Sequence, residues 1–322
     1  MRRIVLSLRQ DFCPNPGSGD ESWCTTDDPP SPRDRAPGRI LAPRISTFWG
    51  VFTSKKCSHP AAIPAYAGQV STSSPLLHAL VTGASRGIGR AIARELAARG
   101  CRVAGHYQKN PAAAAETLGL LAGEGHALFS ADLAAPAEVD RLWREVTAAF
   151  GRVDILVNNA GIYTEHAPLV TSTEGWQNEW RQTLAVNLHA PAQLCHLAAN
   201  AMVAAGGGRI VNISSRGAYR GEPRAPAYGA SKAGLNSLSQ SLAVALAPRG
   251  VAVFGLAPGW VATDMAADYL EGPCAAEILE QHPLGRVATV EEIARAAVYC
   301  ALDAPMAMTG AIVDVNGASY LR

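Results

Sequence analysis

The sequence predicts an α/β fold: a doubly wound parallel sheet of about seven strands with helices on both faces, forming a single domain. Three observations carry this. From about residue 76, short apolar runs alternate with longer segments of helical period. The runs lack the apolar–polar alternation of half-exposed strands and suit a parallel sheet buried on both faces. A glycine cluster falls between the first run and the first helical segment, as in sheets built from β-α units.

The strand candidates, in order, are Ala79–Val81, Arg102–Ala104, Ala127–Phe129, Ile155–Val157, Arg209–Ile213, Val251–Leu256 and Ala311–Val315. The first helix is signalled by Ile88, Ile92 and Leu96, four residues apart and so on one face. Later helices are expected over Ala112–Ala122, Pro136–Phe150, Glu174–Ala204, Ala227–Ala247 and Val290–Leu302.

Residues 1–75 differ in kind. Through residue 76 the chain holds ten of its 21 prolines and nine basic against six acidic residues, with no helical or strand period. A poorly ordered extension is expected there. Its apolar start, Ile4–Leu8, is shorter than the roughly 7–15 residues of a secretory core, and its acidic residues argue against a transit peptide. The extension reads as non-essential, with a start codon placed too far upstream and translation beginning near Val70.

Composition narrows the function classes. The formal net charge of +1 gives no electrostatic footprint for nucleic acid or an anionic membrane. No apolar run reaches the roughly 18 residues of a membrane span. The seven cysteines are odd in number, scattered, and form no C-x-x-C, so neither a disulfide framework nor a zinc site is expected. The histidines show no metal-ligand spacing. A reducing, cytoplasmic setting follows.

The glycine cluster reads Thr82-Gly83-Ala84-Ser85-Arg86-Gly87-Ile88-Gly89. Gly83 allows a sharp turn, and Gly87 and Gly89 allow close approach of backbone to a pyrophosphate at the helix N-terminus. The same residues fit G-x-S-x-G, a hydrolase nucleophile elbow with Ser85 as nucleophile. That elbow needs sheet strands before it, and only the Pro-rich extension precedes.

Tyr228 and Lys232 stand four apart, on one face of a predicted helix. An ammonium beside a phenol favours phenolate and makes tyrosine a usable acid/base. Ser215 ends one strand run, and Asn158-Asn159-Ala160-Gly161 follows another. Both lie at carboxyl ends, where open α/β sheets bind ligands. Asn187 falls in a predicted helix.

Together these pieces resemble the short-chain dehydrogenase/reductase family, over about residues 76–322. The matching segments are 82–89, Asp132-Leu133, 158–161, Asn187, Ser215, Tyr228-x-x-x-Lys232 and Pro258-Gly259-Trp260-Val261-Ala262-Thr263-Asp264-Met265. Within the family the chain is most similar to 3-oxoacyl-acyl-carrier-protein reductases and their relatives. The resemblance implies a Rossmann-like, NADP-binding catalytic domain over 76–322 and a small-molecule carbonyl substrate such as a 3-oxoacyl thioester. It implies that Tyr228 gives a proton to the carbonyl oxygen, Lys232 lowers the tyrosine pKa and bonds the nicotinamide ribose, Ser215 holds the substrate oxygen, and Asn187 keeps a water in a relay to Lys232. It implies a cofactor site of Gly83, Ser85, Arg86, Gly87, Ile88, Gly89, Asp132, Leu133, Asn158, Ala160, Gly161, Tyr228, Lys232, Pro258, Gly259, Val261 and Thr263, with no metal. Relatives assemble through the surface of helix 227–247, so a homodimer or homotetramer is expected. A non-catalytic NADP-binding sensor or scaffold would keep the glycine turn but lose the proton-transfer set.

The second strand candidate runs on into Gly105-His106-Tyr107-Gln108-Lys109, without the carboxylate that an NAD enzyme aims at the ribose 2′-hydroxyl. Arg86 and Lys109 instead offer cations to a 2′-phosphate, which favours NADP(H). Two segments, 162–175 and 264–289, should line the substrate pocket.

Overall fold

The computed structural model describes residues 76–273 and 275–322. The expectations for residues 1–75, and Cys274 of the second pocket segment, lie outside the described residues.

Seven parallel strands form one sheet in the order β3-β2-β1-β4-β5-β6-β7. They are β1 (His78–Val81), β2 (Arg102–Tyr107), β3 (Ala127–Ser130), β4 (Ile155–Asn158), β5 (Gly208–Ile213), β6 (Val251–Pro258) and β7 (Ile312–Val315). All seven predicted strands are present, with ends displaced by up to three residues. The central ones are buried on both faces: every residue of β4 and β6 is buried. Ala79 of β1 pairs with Val103 of β2 on one side and Ile155 of β4 on the other. Strand order reverses between β1 and β4, and the crevice at such a switch point is where doubly wound sheets bind ligands.

The principal helices are α1 (Gly87–Ala98), α2 (Pro111–Gly119), α3 (Pro136–Phe150), α4 (Thr173–Leu184), α5 (Ala190–Ala204), α7 (Pro226–Leu246) and α10 (Val290–Val298), with short α6 (Gly217–Arg220), α8 (Ala267–Leu270) and α9 (Ala275–Glu280) between them. Two apolar layers flank the sheet. On one side Ile92 and Leu96 of α1 meet Ile293 and Ala297 of α10 and Phe254 of β6. On the other, Leu142 and Val146 of α3 meet Leu194 and Met202 of α5 and Leu156 of β4. Among the described residues, no helix is long and apolar enough to cross a membrane.

The structure corrects the helix expectations in four places. The long helix expected over 174–204 is α4 and α5 joined by a π-helical turn, Ala185–His189. Pro191 lies four residues beyond Asn187 and has no N–H to give to the Asn187 carbonyl, so the regular ladder fails there. The last predicted helix also ends in a π turn, Tyr299–Asp303. Helix α2 stops at Gly119, where the Leu120 and Leu121 amides turn back to Thr117 and Leu118. The short helices α6, α8 and α9 escaped the sequence reading because four to six residues hold too little period to detect.

Candidate active site

A cleft of about 1170 Å3 runs along the carboxyl ends of the strands. Its first wall is the glycine turn after β1. Gly83 and Gly87 have φ of +66° and +55°, a region costly for other residues. A Cβ on Gly87 would meet only Thr263, at 3.5 Å, so the turn stays open on that side. Gly89 serves packing instead: its Cβ would lie 2.1 Å from the Gly83 carbonyl oxygen. Helix α1 begins without a side-chain cap and without an acidic residue in its first turn. Its free N–H groups and positive dipole end face the cleft, which is what a pyrophosphate requires.

One residue bracing this turn carried no functional signal in the sequence. His106 of β2 is buried and accepts from the Gly83 N–H at Nδ1 over 3.1 Å. Its Nε2 is 3.1 Å from the Ala131 carbonyl oxygen, so Nε2 carries the proton. Burial pushes the imidazole down to about 4. With both nitrogens committed, His106 is no base for Ser85.

The loop after β4 is bolted to the same turn. Thr82 Oγ1 accepts from the Asn159 and Ala160 N–H groups at 2.9 and 3.0 Å, and Asn159 Nδ2 donates to the Thr82 and Gly83 carbonyls at 2.9 and 3.2 Å. Asn159, Ala160 and Gly161 line the cleft. The Asn158 side chain does not. It is buried beneath, donating to Asn212 Oδ1 at 2.8 Å, while Asn212 donates to Ser239 Oγ at 2.8 Å. Side chains alternate across a strand, so two adjacent asparagines point to opposite faces. The Asn158 side chain is therefore turned away from the cleft, which leaves only its main chain for the expected cofactor contact.

Ser215, Tyr228, Lys232 and Asn187 do come together. Ser215 follows β5 and its hydroxyl accepts from the Gly217 N–H at 3.0 Å. The same side chain lies beside Tyr228, which enters from α7, close enough to favour its ionised form. Lys232 is one turn on and donates from Nζ to the Ile213 carbonyl oxygen at 2.8 Å. Its Nζ is 5.7 Å from the Tyr228 ring centre. Asn187 is fully buried and clamps the chain at Ile162, accepting from its N–H at 2.8 Å and donating to its carbonyl at 2.9 Å. A third contact reaches Ser231 Oγ at 3.2 Å. The Asn187 side chain is thus fully engaged within the chain.

Burial pushes Tyr228 up to about 12 and Lys232 down to about 8. In both groups burial, which disfavours the charged form, is the largest cause. The phenol is held neutral, which is the form that donates a proton.

At the other end of the cleft, Asp132 accepts from Gln108 Nε2 at 2.8 Å and from the Ala134 N–H at 3.0 Å. Lys109 lines this end, as do Leu133 and Arg86. Arg86 pairs with Asp264 at 3.4 Å, both side chains exposed. Pro258, Gly259, Val261 and Thr263 line the wall beyond β6.

The two expected pocket segments meet through aromatic rings. Tyr163 packs edge-on against Tyr228 at 5.1 Å and Tyr269 at 6.2 Å, and Tyr269 lies 5.4 Å from Trp260. Glu165 accepts from Tyr269 at 2.7 Å and from Arg224 at 2.6 Å. His166 is buried rather than exposed to the cleft. Its Nε2 accepts from the Ala227 N–H at 3.0 Å and fixes the start of α7. Among the described residues, no group of three or more His, Cys, Asp or Glu side chains is placed to hold a metal ion.

A family model described as enoyl-(acyl carrier protein) reductase matches residues 83–318. The chain is 41% identical over 244 residues to the 3-oxoacyl-(acyl-carrier-protein) reductase FabG of Escherichia coli strain K12, covering 76% of this chain and 97% of that protein. It is 38% identical over 246 residues to D-threitol dehydrogenase of Mycolicibacterium smegmatis, covering 76% and 93%. A crystal structure of a protein from Beutenbergia cavernae, assigned as an NAD(P)-dependent gluconate 5-dehydrogenase and holding NADP at low occupancy, superposes with a TM-score of 0.69. It is 38% identical and covers 76% of this chain and 96% of that one. With the switch-point cleft, the glycine turn and the Ser215–Tyr228–Lys232 group all in one continuous match, this chain belongs to the short-chain dehydrogenase/reductase family of oxidoreductases.

Proposed function

We propose that the chain uses NADP(H) to interconvert a small-molecule ketone and a secondary alcohol, with residues 76–322 as the catalytic domain. The observation that carries this reading is the meeting of Ser215 and Tyr228 hydroxyls at the end of β5, across the cleft from the glycine turn. The cofactor fits this chain because an uncapped helix start faces an open glycine turn, with Arg86 and Lys109 beside it. NADP in the Beutenbergia cavernae structure supports the same choice.

When bound, NADPH supplies the hydride. The chain supplies the rest. Ser215 and Tyr228 hold the carbonyl oxygen by two hydrogen bonds, placing the reacting carbon for attack. As negative charge grows on that oxygen, Tyr228 passes its hydroxyl proton to it, and the product is the alcohol. Lys232 stands fixed on the Ile213 carbonyl, where its charge stabilises the tyrosinate left behind. Asn187 keeps the Ile162 segment against α7, and its main-chain carbonyl is the anchor for a water that returns the proton. Gly83, Ser85, Arg86, Gly87, Ile88, Gly89, Asp132, Leu133, Ala160, Gly161, Pro258, Gly259, Val261 and Thr263 form the cofactor wall, joined by Asn159.

The named relatives span acyl thioesters, a polyol and a sugar acid, and the matched family model names an enoyl substrate. A 3-oxoacyl thioester is the substrate proposed first. The test is NADPH oxidation by the full chain with a short 3-oxoacyl thioester, its enoyl counterpart, a polyol-derived ketone and a keto acid, repeated with NADH. Consumption on any ketone supports the reading, and on the thioester its finer form. Tight NADPH binding with no turnover on any of them would make the protein a sensor or scaffold.

A homodimer or homotetramer and a cytoplasmic location are part of this proposal. Val244 on α7 is 80% exposed, leaving apolar surface where a second copy would pack. Light scattering decides the assembly; a monomer would overturn it.

A further inference from the structure

Arg216 directly follows Ser215 in the chain, and its N–H donates to the Pro258 carbonyl at 2.8 Å, which fixes it between the ends of β5 and β6. The side chain lines the cleft yet is only 5% exposed. Its Nη2 donates to Gln281 Oε1 at 3.2 Å, while Nη1 is buried with no hydrogen-bond partner. Arg220 approaches from α6 and donates from Nη1 to the same Gln281 oxygen at 2.8 Å. Two guanidinium groups therefore converge on one neutral acceptor. Among the described residues neither forms an ion pair.

Glu222 is the carboxylate whose charge both arginines feel. It makes no hydrogen bond to either and instead fills the space a Cβ on Gly217 would need. Burial pushes its carboxyl up and opposes its charge. A buried guanidinium facing a neutral amide leaves fixed donors without an anion, an arrangement that costs stability unless something supplies one. Arginine's planar fork suits an oxyanion with two or more oxygens.

We propose that Arg216 and Arg220, positioned by Gln281, form a subsite for an oxyanion carried by the substrate, a carboxylate or phosphate monoester a few bonds from the reacting carbonyl. Arg216 adjoins Ser215 in the chain, with α-carbons about 3.8 Å apart, so the group that reads the anion and the group that holds the carbonyl spring from one stretch of backbone. A neutral ketone would leave Arg216 Nη1 unpaired and dry, so the site selects against it. This rests on the reductase reading and moves its preferred substrate from a neutral 3-oxoacyl thioester to a ketone that carries an anion.

The experiment uses the full chain with NADPH and straight-chain 2-oxo, 4-oxo and 5-oxo acids, the methyl ester of each, and hydroxyacetone phosphate. The expected result is that at least one acid or the phosphate exceeds the esters by about thirtyfold or more in kcat/KM, chiefly through KM. Which oxyanion wins identifies its source. In Arg220→Gln and Arg216→Met the preference falls at least about tenfold. Arg220 is the exposed member, so its variant keeps the test alive should Arg216→Met not fold. Acids and esters turned over equally would overturn the subsite and leave the reductase reading standing. No turnover on any ketone would overturn the reductase reading, and calorimetric titration with the same acids and esters then decides the subsite. A preference for acid that is lost in Arg220→Gln supports it, and equal binding of acid and ester overturns it.

Discussion

Lys232 Nζ donates to the Ile213 carbonyl oxygen over 2.8 Å, tying the catalytic face of α7 to the end of β5. The ammonium is therefore held by the sheet, not by Tyr228, and stays in place when the phenol is removed. Tyr228→Phe should keep the fold and bind NADPH within about twofold of the parent. Turnover should fall by about 10²–10⁴-fold, the usual worth of a positioned proton donor. Single-turnover kinetics beside a fluorescence titration of NADPH separates the two effects. Retained turnover would remove Tyr228 from the mechanism.

Arg86 and Asp264 set a second prediction. Their 3.4 Å pair is exposed on both sides and so is weak. A 2′-phosphate would compete with Asp264 for the guanidinium. Arg86→Ala should weaken NADPH binding by about tenfold or more while changing NADH binding by less than about threefold. Asp264→Asn should act in the opposite direction, tightening NADPH by about two- to fivefold. Dissociation constants for both nucleotides with both variants check this. Equal weakening of NADPH and NADH in Arg86→Ala would mean that Arg86 does not read the phosphate.

The pH dependence of stability should carry the mark of His106. The buried imidazole has a folded pKa of about 4, against about 6.5 for an unfolded chain. Between these values the unfolded state binds more protons, so stability falls as pH drops from about 6.5 to about 4 and is unaffected above that window. At pH 5 the loss from this group is about 2 kcal/mol. His106→Asn removes the titration and the Ala131 contact together. Urea unfolding should find it less stable than the parent at pH 7.5, with a loss between pH 7.5 and pH 5 smaller by about 2 kcal/mol. An unchanged pH slope would place the acid sensitivity elsewhere.

The sheet and most of the site were legible because both depend on short-range pattern. Doubly buried strands are continuous apolar runs, and Tyr228 and Lys232 meet through helix periodicity alone. Contacts made across the fold left no such trace. Asn158 and Asn159 read alike, yet one faces Asn212 in the core and the other the glycine turn, a choice set by strand register. Gly89 shows why the residue type was readable and its reason was not: the glycine is required by the Gly83 carbonyl, not by a ligand. Arg216 reads as an ordinary polar residue after Ser215 until the approach of Gln281, 65 positions later, shows that it is buried. The π turn at Asn187 was hidden behind helical composition, although Pro191 marked where its ladder had to fail.

Two glycines, Gly89 beside the cofactor turn and Gly119 away from it, make opposite predictions that test the packing directly. A Cβ on Gly89 would lie 2.1 Å from the Gly83 oxygen and 2.4 Å from Asn159 Nδ2, so neither turn nor loop can yield without the other. Gly89→Ala should destabilise by about 1–3 kcal/mol, the usual cost of overpacking, and should weaken nucleotide binding because the pyrophosphate turn moves with it. A Cβ on Gly119, at the end of α2, would meet nothing within 4 Å, and its φ is not among the positive ones. Gly119→Ala should stabilise by about 0.4–1 kcal/mol by restricting the unfolded chain. Denaturant midpoints of the two variants against the parent, with NADPH titrations on each, give the comparison. Gly89→Ala with parental stability would show that the turn and the loop after β4 are not locked together as described.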